Sequence, residues 1–255
     1  MNASYHKNLE KLFPGGRGLF LAYDQGFEHG PTDFSGENAD PEFIMRIAAY
    51  GHFNGVMVHH GVAEKYYEQY EHQVPLILKM NGKTALHNEE PLSKAVTSVE
   101  EAVRLKASAV GYTVYVGSEH ESEMLAELGQ IIEQAHGHGL PVFGWMYPRG
   151  KAITDPHDPD TIAYAARVGL EVGVDVVKIY YPHDPTHLAE AVKVAGKTKV
   201  VVAGGAKQDP TKLADEVKGM LKAGAAGLAV GRNVWQAEQP NEVAKKLREV
   251  IDGQN

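Results

Sequence analysis

Apolar runs of strand length recur at near-even spacing from one end of the chain to the other: Gly18–Asp24, Gly55–His59, Pro75–Asn81, Ala109–Val116, Pro141–Tyr147, Asp175–Tyr181, Lys199–Gly205 and Gly227–Arg232. Helical patterns fill most of the gaps, over Pro41–Tyr50, Val62–Tyr70, Ser98–Lys106, Glu121–His136, Asp160–Val172, Thr186–Ala195, Pro210–Ala223 and Asn241–Ile251. Strands that alternate with helices pair in parallel through right-handed crossovers, and runs this continuously apolar belong to a sheet covered on both faces. Eight such units in 255 residues fit an α/β fold closed as a (β/α)8 TIM barrel better than an open doubly wound sheet. Gly139, Gly173 and Gly224 stand where helices should end, and Asp40-Pro41 and Asp209-Pro210 read as N-caps followed by proline in the first turn. With no linker or low-complexity stretch, the reading is a single domain over 1–255. A short amphipathic N-terminal extension (about 1–16) closes the barrel floor or meets a partner subunit.

Composition matters for what it excludes. Asp and Glu number 33 against 25 Lys and Arg, a formal charge of −8, which argues against a nucleic-acid partner and requires local positive charge for any anionic substrate. The absence of cysteine removes disulfides, thiolate nucleophiles and cysteine-based zinc sites. No stretch approaches the roughly 18 apolar residues of a membrane span, and the first residues lack the apolar core of a signal peptide. The expectation is a cytoplasmic protein with no membrane partner.

A barrel of this kind carries its active site at the C-terminal ends of its strands. Polar residues gather there: Asp24, His59 and His60, Lys79 and Asn81, Tyr112 and Tyr115, Trp145 and Tyr147. Lys178 stands out, alone within the β-branched run Val174-Asp-Val-Val-Lys-Ile-Tyr-Tyr181. An ammonium held among apolar groups loses hydration, its pKa falls, and the free amine needed for Schiff-base chemistry becomes accessible; a strand lysine can equally reach solvent or a carboxylate. Tyr147, one strand away, can shuttle a proton if a protonated nitrogen lies close, and otherwise simply donates one hydrogen bond. Asp24 is either the ion-pair partner of a lysine or a positioning carboxylate. Gly204 and Gly205 after the seventh strand, and Gly231 with Arg232 after the eighth, match the recurrent phosphate site of barrels. His29 reads as a substrate or phosphate contact. Glu28, His29, His59 and His60 carry ligand-type side chains, but a metal is not expected, because adjacent His59 and His60 point to opposite faces of their strand and no His-x-x-x-His helix occurs.

The ordered segments Ala22-Tyr-Asp-Gln-Gly-Phe-Glu-His-Gly-Pro31, Ala63-Glu-Lys-Tyr-Tyr67, Leu78-Lys-Met-Asn-Gly-Lys-Thr84, Gly111-Tyr-Thr-Val-Tyr115, Met146-Tyr-Pro-Arg-Gly-Lys151, Asp175-Val-Val-Lys178, Val194-Ala-Gly196 and Val230-Gly-Arg-Asn-Val-Trp-Gln236 resemble the archaeal-type class I fructose-1,6-bisphosphate aldolases, the DhnA-type Schiff-base family, over essentially the whole chain. That resemblance implies Lys178 as Schiff-base former, Tyr147 as proton-transfer group, Asp24 beside them and Trp145 as an active-site aromatic. It also implies phosphate turns at Gly204, Gly205, Gly231 and Arg232. The implied substrate is a small phosphorylated sugar of glycolysis and gluconeogenesis, with no cofactor or metal, acted on by a homo-oligomer, possibly a decamer. Relatives usually read Asp-His-Gly where this chain has Asp24-Gln25-Gly26, so any role of that histidine is in doubt here. A rival within the family is the 2-amino-3,7-dideoxy-D-threo-hept-6-ulosonate synthase, a transaldolase-like enzyme of aromatic amino-acid biosynthesis. A reading of another class is a non-catalytic phosphosugar-binding barrel.

Overall fold

A computed structural model describes residues 2–86 and 89–253 of the chain. Its eight parallel strands close into a barrel: β1 (Gly18–Ala22), β2 (Gly55–His59), β3 (Leu76–Lys79), β4 (Ala109–Val116), β5 (Val142–Pro148), β6 (Val176–Ile179), β7 (Lys199–Ala203) and β8 (Gly227–Val230). Each strand pairs with its sequence neighbours, and β1 pairs with β8 to close the ring. Helices cover the outside, so side chains on both faces of most strands are buried, as the continuous apolar runs require.

The helix ends follow their chemistry. Asp40 and Asp209 accept hydrogen bonds from first-turn amides ahead of a proline, and Asp158-Pro159 and Asp184-Pro185 repeat the device. Gly139, Gly173 and Gly224 have φ of 75°, 98° and 99°, the left-handed region open to glycine. Several strands are shorter than the apolar runs. β1 stops at Ala22 and β8 at Val230, so Asp24 and Arg232 lie past the last ladder pair, on backbone free to turn across the barrel mouth. The helix expected over Val62–Tyr70 is His60–Tyr66 followed by a 3-10 turn at Glu68–Tyr70; the break buries Tyr67 with its hydroxyl on Val74 O at 2.9 Å. A four-residue helix, Gly26–His29, and a two-stranded hairpin pairing Asn81–Gly82 with Lys94–Ala95 sit above the barrel; neither was expected.

Of the extension expected over about 1–16, Met1 lies outside the described residues and Ala3–Leu12 is a helix. Its Tyr5 hydroxyl donates to Asp175 at 2.5 Å, and that carboxylate also holds His136 and the Val142 amide. At its end Phe13 packs on Phe20 and Phe143, with ring centroids 5.2 and 6.1 Å away, filling the N-terminal mouth with aromatic side chains. None of the described helices is long and apolar enough to cross a membrane.

Candidate active site

Register decides which side chains meet inside the barrel. Thr113 pairs with Trp145, Trp145 with Lys178, and Lys178 with Val201, so four adjacent strands contribute one inward layer. One step toward the C-terminal mouth come Tyr115 and Tyr147, also register partners. Thr113, Trp145, Tyr147 and Lys178, together with Asp24 and Glu28 from the segment after β1, line a cavity that opens at the mouth. Lys178 is 4% exposed, and its ammonium lies 4.8 Å from the centroid of the Trp145 ring. No described residue pairs with it: the nearest carboxylates bias it from beyond ion-pair distance. Burial pushes its pKa below the ordinary value while Asp24 and Glu28 push back.

A second amine shares this interior. Lys79 of β3 lies 5.4 Å from the same Trp145 ring and donates to Asn81 O at 2.8 Å and to Asn81 Oδ1 at 2.9 Å. Burial takes its pKa down to about 8, and Lys178 adds to the fall. Gly111 makes room for the indole, since a Cβ there would stand 1.8 Å from Trp145 Cζ3. Asn81 ties the layer together, donating to Ser93 O and Thr113 O and accepting from Thr113 N.

Tyr147 is held from behind. Its ring stacks on Tyr180 at 4.3 Å with 1° between the planes. Arg149 Nε donates to Tyr180 Oη at 2.8 Å, Arg149 Nη1 pairs with Glu28 Oε2 at 2.8 Å, and Tyr115 donates to Glu28 Oε1 at 2.7 Å. The Tyr147 hydroxyl itself has no protein partner among the described residues and faces the cavity. Burial, then Tyr180 and Asp24, raise this phenol well above its ordinary range, with Arg149 opposing. A phenol so placed holds its proton in the free protein, and a positive charge beside it would favour release of that proton. Burial pushes the Glu28 carboxyl up, but Arg149, Lys79 and the Tyr115 hydrogen bond outweigh it and leave the group below its usual value.

The turns after β7 and β8 form the other wall. Gly205 has φ of 65°, and a Cβ at Gly231 would press to 2.8 Å from Ala22 O, so both positions need glycine. The Gly204 amide is not free to meet a phosphate: it donates to Ala229 O at 2.8 Å, because the ladder runs one residue further than the strand. Its contribution is the missing side chain, where a Cβ would meet Val230 Cα at 3.1 Å. Asn233 staples the β7 turn, donating to Gly204 O and Ala206 O and accepting from Gln208 N. Arg232 lies 3.9 Å from Asp33, whose other oxygen holds His29 Nδ1 at 2.5 Å.

Of the polar residues and turns that the sequence offered, Asp24, His29, Trp145, Tyr147, Lys178 and the glycine turns with Arg232 line this cavity. Tyr112 does not; one residue out of step with Thr113, it points outward, its hydroxyl on Ser93 O and Glu127. His59 faces inward, but its Nε2 donates to the Asp24 carbonyl oxygen at 2.9 Å, and burial takes its pKa to about 4. The sequence marks Lys79 only as a polar strand end and Glu28 only as a possible metal ligand, and it does not single out Thr113, Arg149, Tyr180 and Asn233 as site residues. Arg149 and Asn233 lay within quoted motifs, but nothing local marks a side chain as inward-facing. A cluster with metal-ligand types, His60, Glu64 and Glu101, lies on the outer surface, where Arg104 already pairs with both carboxylates.

The DeoC/LacD family aldolase model matches residues 19–237. The chain is 49% identical to "Fructose-bisphosphate aldolase class 1" of Thermoproteus tenax, over 93% of this chain and 90% of that one. It is 44% identical to the protein of the same description from Halobacterium salinarum, over 92% and 90%. Among solved structures, an archaeal fructose-1,6-bisphosphate aldolase with its catalytic lysine covalently bound to the carbinolamine intermediate of the substrate superposes with a TM-score of 0.92, at 47% identity, over 97% of this chain and 99% of that one.

Proposed function

The chain belongs to the DeoC/LacD family of aldolases, and from that premise we propose that it is a class I fructose-bisphosphate aldolase, with Lys178 as the Schiff-base lysine. It is a carbon–carbon lyase that reversibly splits fructose 1,6-bisphosphate into dihydroxyacetone phosphate and glyceraldehyde 3-phosphate. The observation that carries the assignment is a buried amine with no partner among the described residues, depressed by burial and lining the cavity that also holds Asp24 and Tyr147. An amine left unpaired in such a place is a destabilising arrangement that chemistry can use.

Neutral Lys178 Nζ attacks the C2 ketone to give a carbinolamine, and loss of water with its C–O bond leaves the iminium. Asp24 orients the amine and assists proton movement at this stage. Tyr147 gives its proton to the carbinolamine oxygen as water leaves, and the phenolate so formed beside the iminium then takes the C4 hydroxyl proton as the C3–C4 bond breaks into the iminium nitrogen and the aldehyde departs. The iminium charge is what lowers the Tyr147 phenol enough for that step. A proton returned to C3 of the enamine, followed by hydrolysis, frees dihydroxyacetone phosphate and restores the amine. The imine is the electron sink, so the mechanism calls for no metal.

Gly205, Gly231 and Arg232 hold the ketose-side phosphate, with Gly204 giving it room, while Trp145 walls the reacting carbon and His29 meets the distal phosphate. The relatives' descriptions favour the bisphosphate aldolase over the heptulosonate synthase. Family resemblance is also what supports a cytoplasmic location and a decameric assembly. Borohydride reduction with dihydroxyacetone phosphate is expected to attach the triose to Lys178, read by peptide mass mapping. Full activity in Lys178→Ala ends this reading.

A further inference from the structure

Thr113 is 1% exposed, lines the cavity, and its Oγ1 has no hydrogen-bond partner among the described residues; Trp145 Nε1, its register neighbour, is buried and unpaired in the same way. A buried hydroxyl without a partner counts against folding, and valine would fill the same volume without that penalty. The Thr113 backbone is fixed at both its amide and its carbonyl by Asn81, so the hydroxyl is held in place rather than left to wander.

We propose that the Thr113 hydroxyl, with the Trp145 indole N–H, binds the hydroxyl on the substrate carbon that becomes the enamine nucleophile, and so selects ketone donors that carry it. This deepens, and rests on, the reading of Lys178 as the imine-forming residue. The direction follows from strand order. Lys178 on β6 fixes the carbonyl carbon; the phosphate turns follow β7 and β8 on one side, and Trp145 on β5 and Thr113 on β4 lie on the other. A ketone whose phosphate-bearing carbon points to β7 and β8 must direct its other carbon toward Trp145 and Thr113. There a sugar hydroxyl can accept from the indole and exchange a hydrogen bond with threonine, satisfying both orphaned groups.

The test compares dihydroxyacetone phosphate with hydroxyacetone phosphate, which keeps the ketone and the phosphate but has a methyl in place of the hydroxymethyl. The readouts are the rate of borohydride trapping at Lys178 and thermal unfolding of the free protein. Thr113→Val is expected to slow trapping of dihydroxyacetone phosphate by about 10–100-fold while leaving hydroxyacetone phosphate within about 3-fold. Thr113→Ser restores the preference, and the Tm of Thr113→Val is equal to or above that of the native protein. An equal loss with both donors, or a Tm lowered by several degrees, overturns the inference, since either makes the hydroxyl a structural group. If the native protein is labelled at Lys178 by neither donor, the Schiff-base reading fails and takes this one with it. Labelling with no change of donor preference in Thr113→Val overturns the threonine assignment alone.

Discussion

Replacing Lys79 by methionine separates the electrostatic burden of the barrel interior from its packing. Lys79 is 2% exposed, and burial takes its pKa from 10.5 to about 8. Between those values the unfolded chain holds a proton that the folded protein has released, so native stability rises with pH through that window. Below about pH 8 both states are protonated and the whole penalty is present; above about 10.5 both are neutral and it is gone. A difference of roughly 2.5 pH units corresponds to about 3 kcal/mol. Methionine approximates the lysine stem in volume, so its packing effect is small. It also removes two hydrogen bonds to Asn81, an offset that does not vary with pH. The measurable quantity is therefore the slope: urea unfolding of both proteins from pH 7 to 11 should show the stability advantage of Lys79→Met falling by about 3 kcal/mol. A pH-independent difference between the two would refute the claim that this amine is held in the barrel against its own charge.

Two further expectations concern the walls of the cavity. Gly111→Ala places a methyl 1.8 Å from Trp145 Cζ3 and 2.1 Å from Cη2. The indole must move by roughly 1.5–2 Å to regain ordinary contact, which is expected to destabilise the fold by about 1–3 kcal/mol and to lower kcat/KM about 100-fold; near-native kinetics would show that the ring position is unimportant. Glu28→Gln removes a charge that favours protonated Lys178 and frees Arg149 from its ion pair. The acidic limb of the kcat/KM profile, where Lys178 must lose its proton, should move to lower pH as kcat falls, and a limb that stays in place would assign Glu28 a purely structural part.

Much of the site could be read before any coordinates. Lys178 stood out because a charge inside a β-branched run is anomalous wherever it lies, and Gly231 with Arg232 because strand ends of a barrel converge on one place. What escaped were residues whose role depends on a neighbour distant in the chain. Glu28 and Arg149 are separated by 121 positions and joined by one ion pair. Tyr180 looks like the end of an apolar strand until its ring is found flat against Tyr147. Gly111 looks like a weak point in a strand until Trp145 is seen to occupy the space it leaves.

The sequence by itself determined the eightfold alternation, the capped helices and a lone amine at the centre of the sixth strand. These are local properties, carried by hydrophobic period, by glycine and proline geometry, and by the anomaly of a charge among apolar neighbours. Only the tertiary structure decided which side chains face inward. In a barrel covered by helices both faces of a strand are apolar, so the alternation that would reveal an inner face is erased, and Tyr112 cannot be told from Thr113 until register is known. The lateral pairing of β3 through β6 then placed the two lysines on one tryptophan ring, because residues far apart along the chain share a layer only once their strands have paired in register.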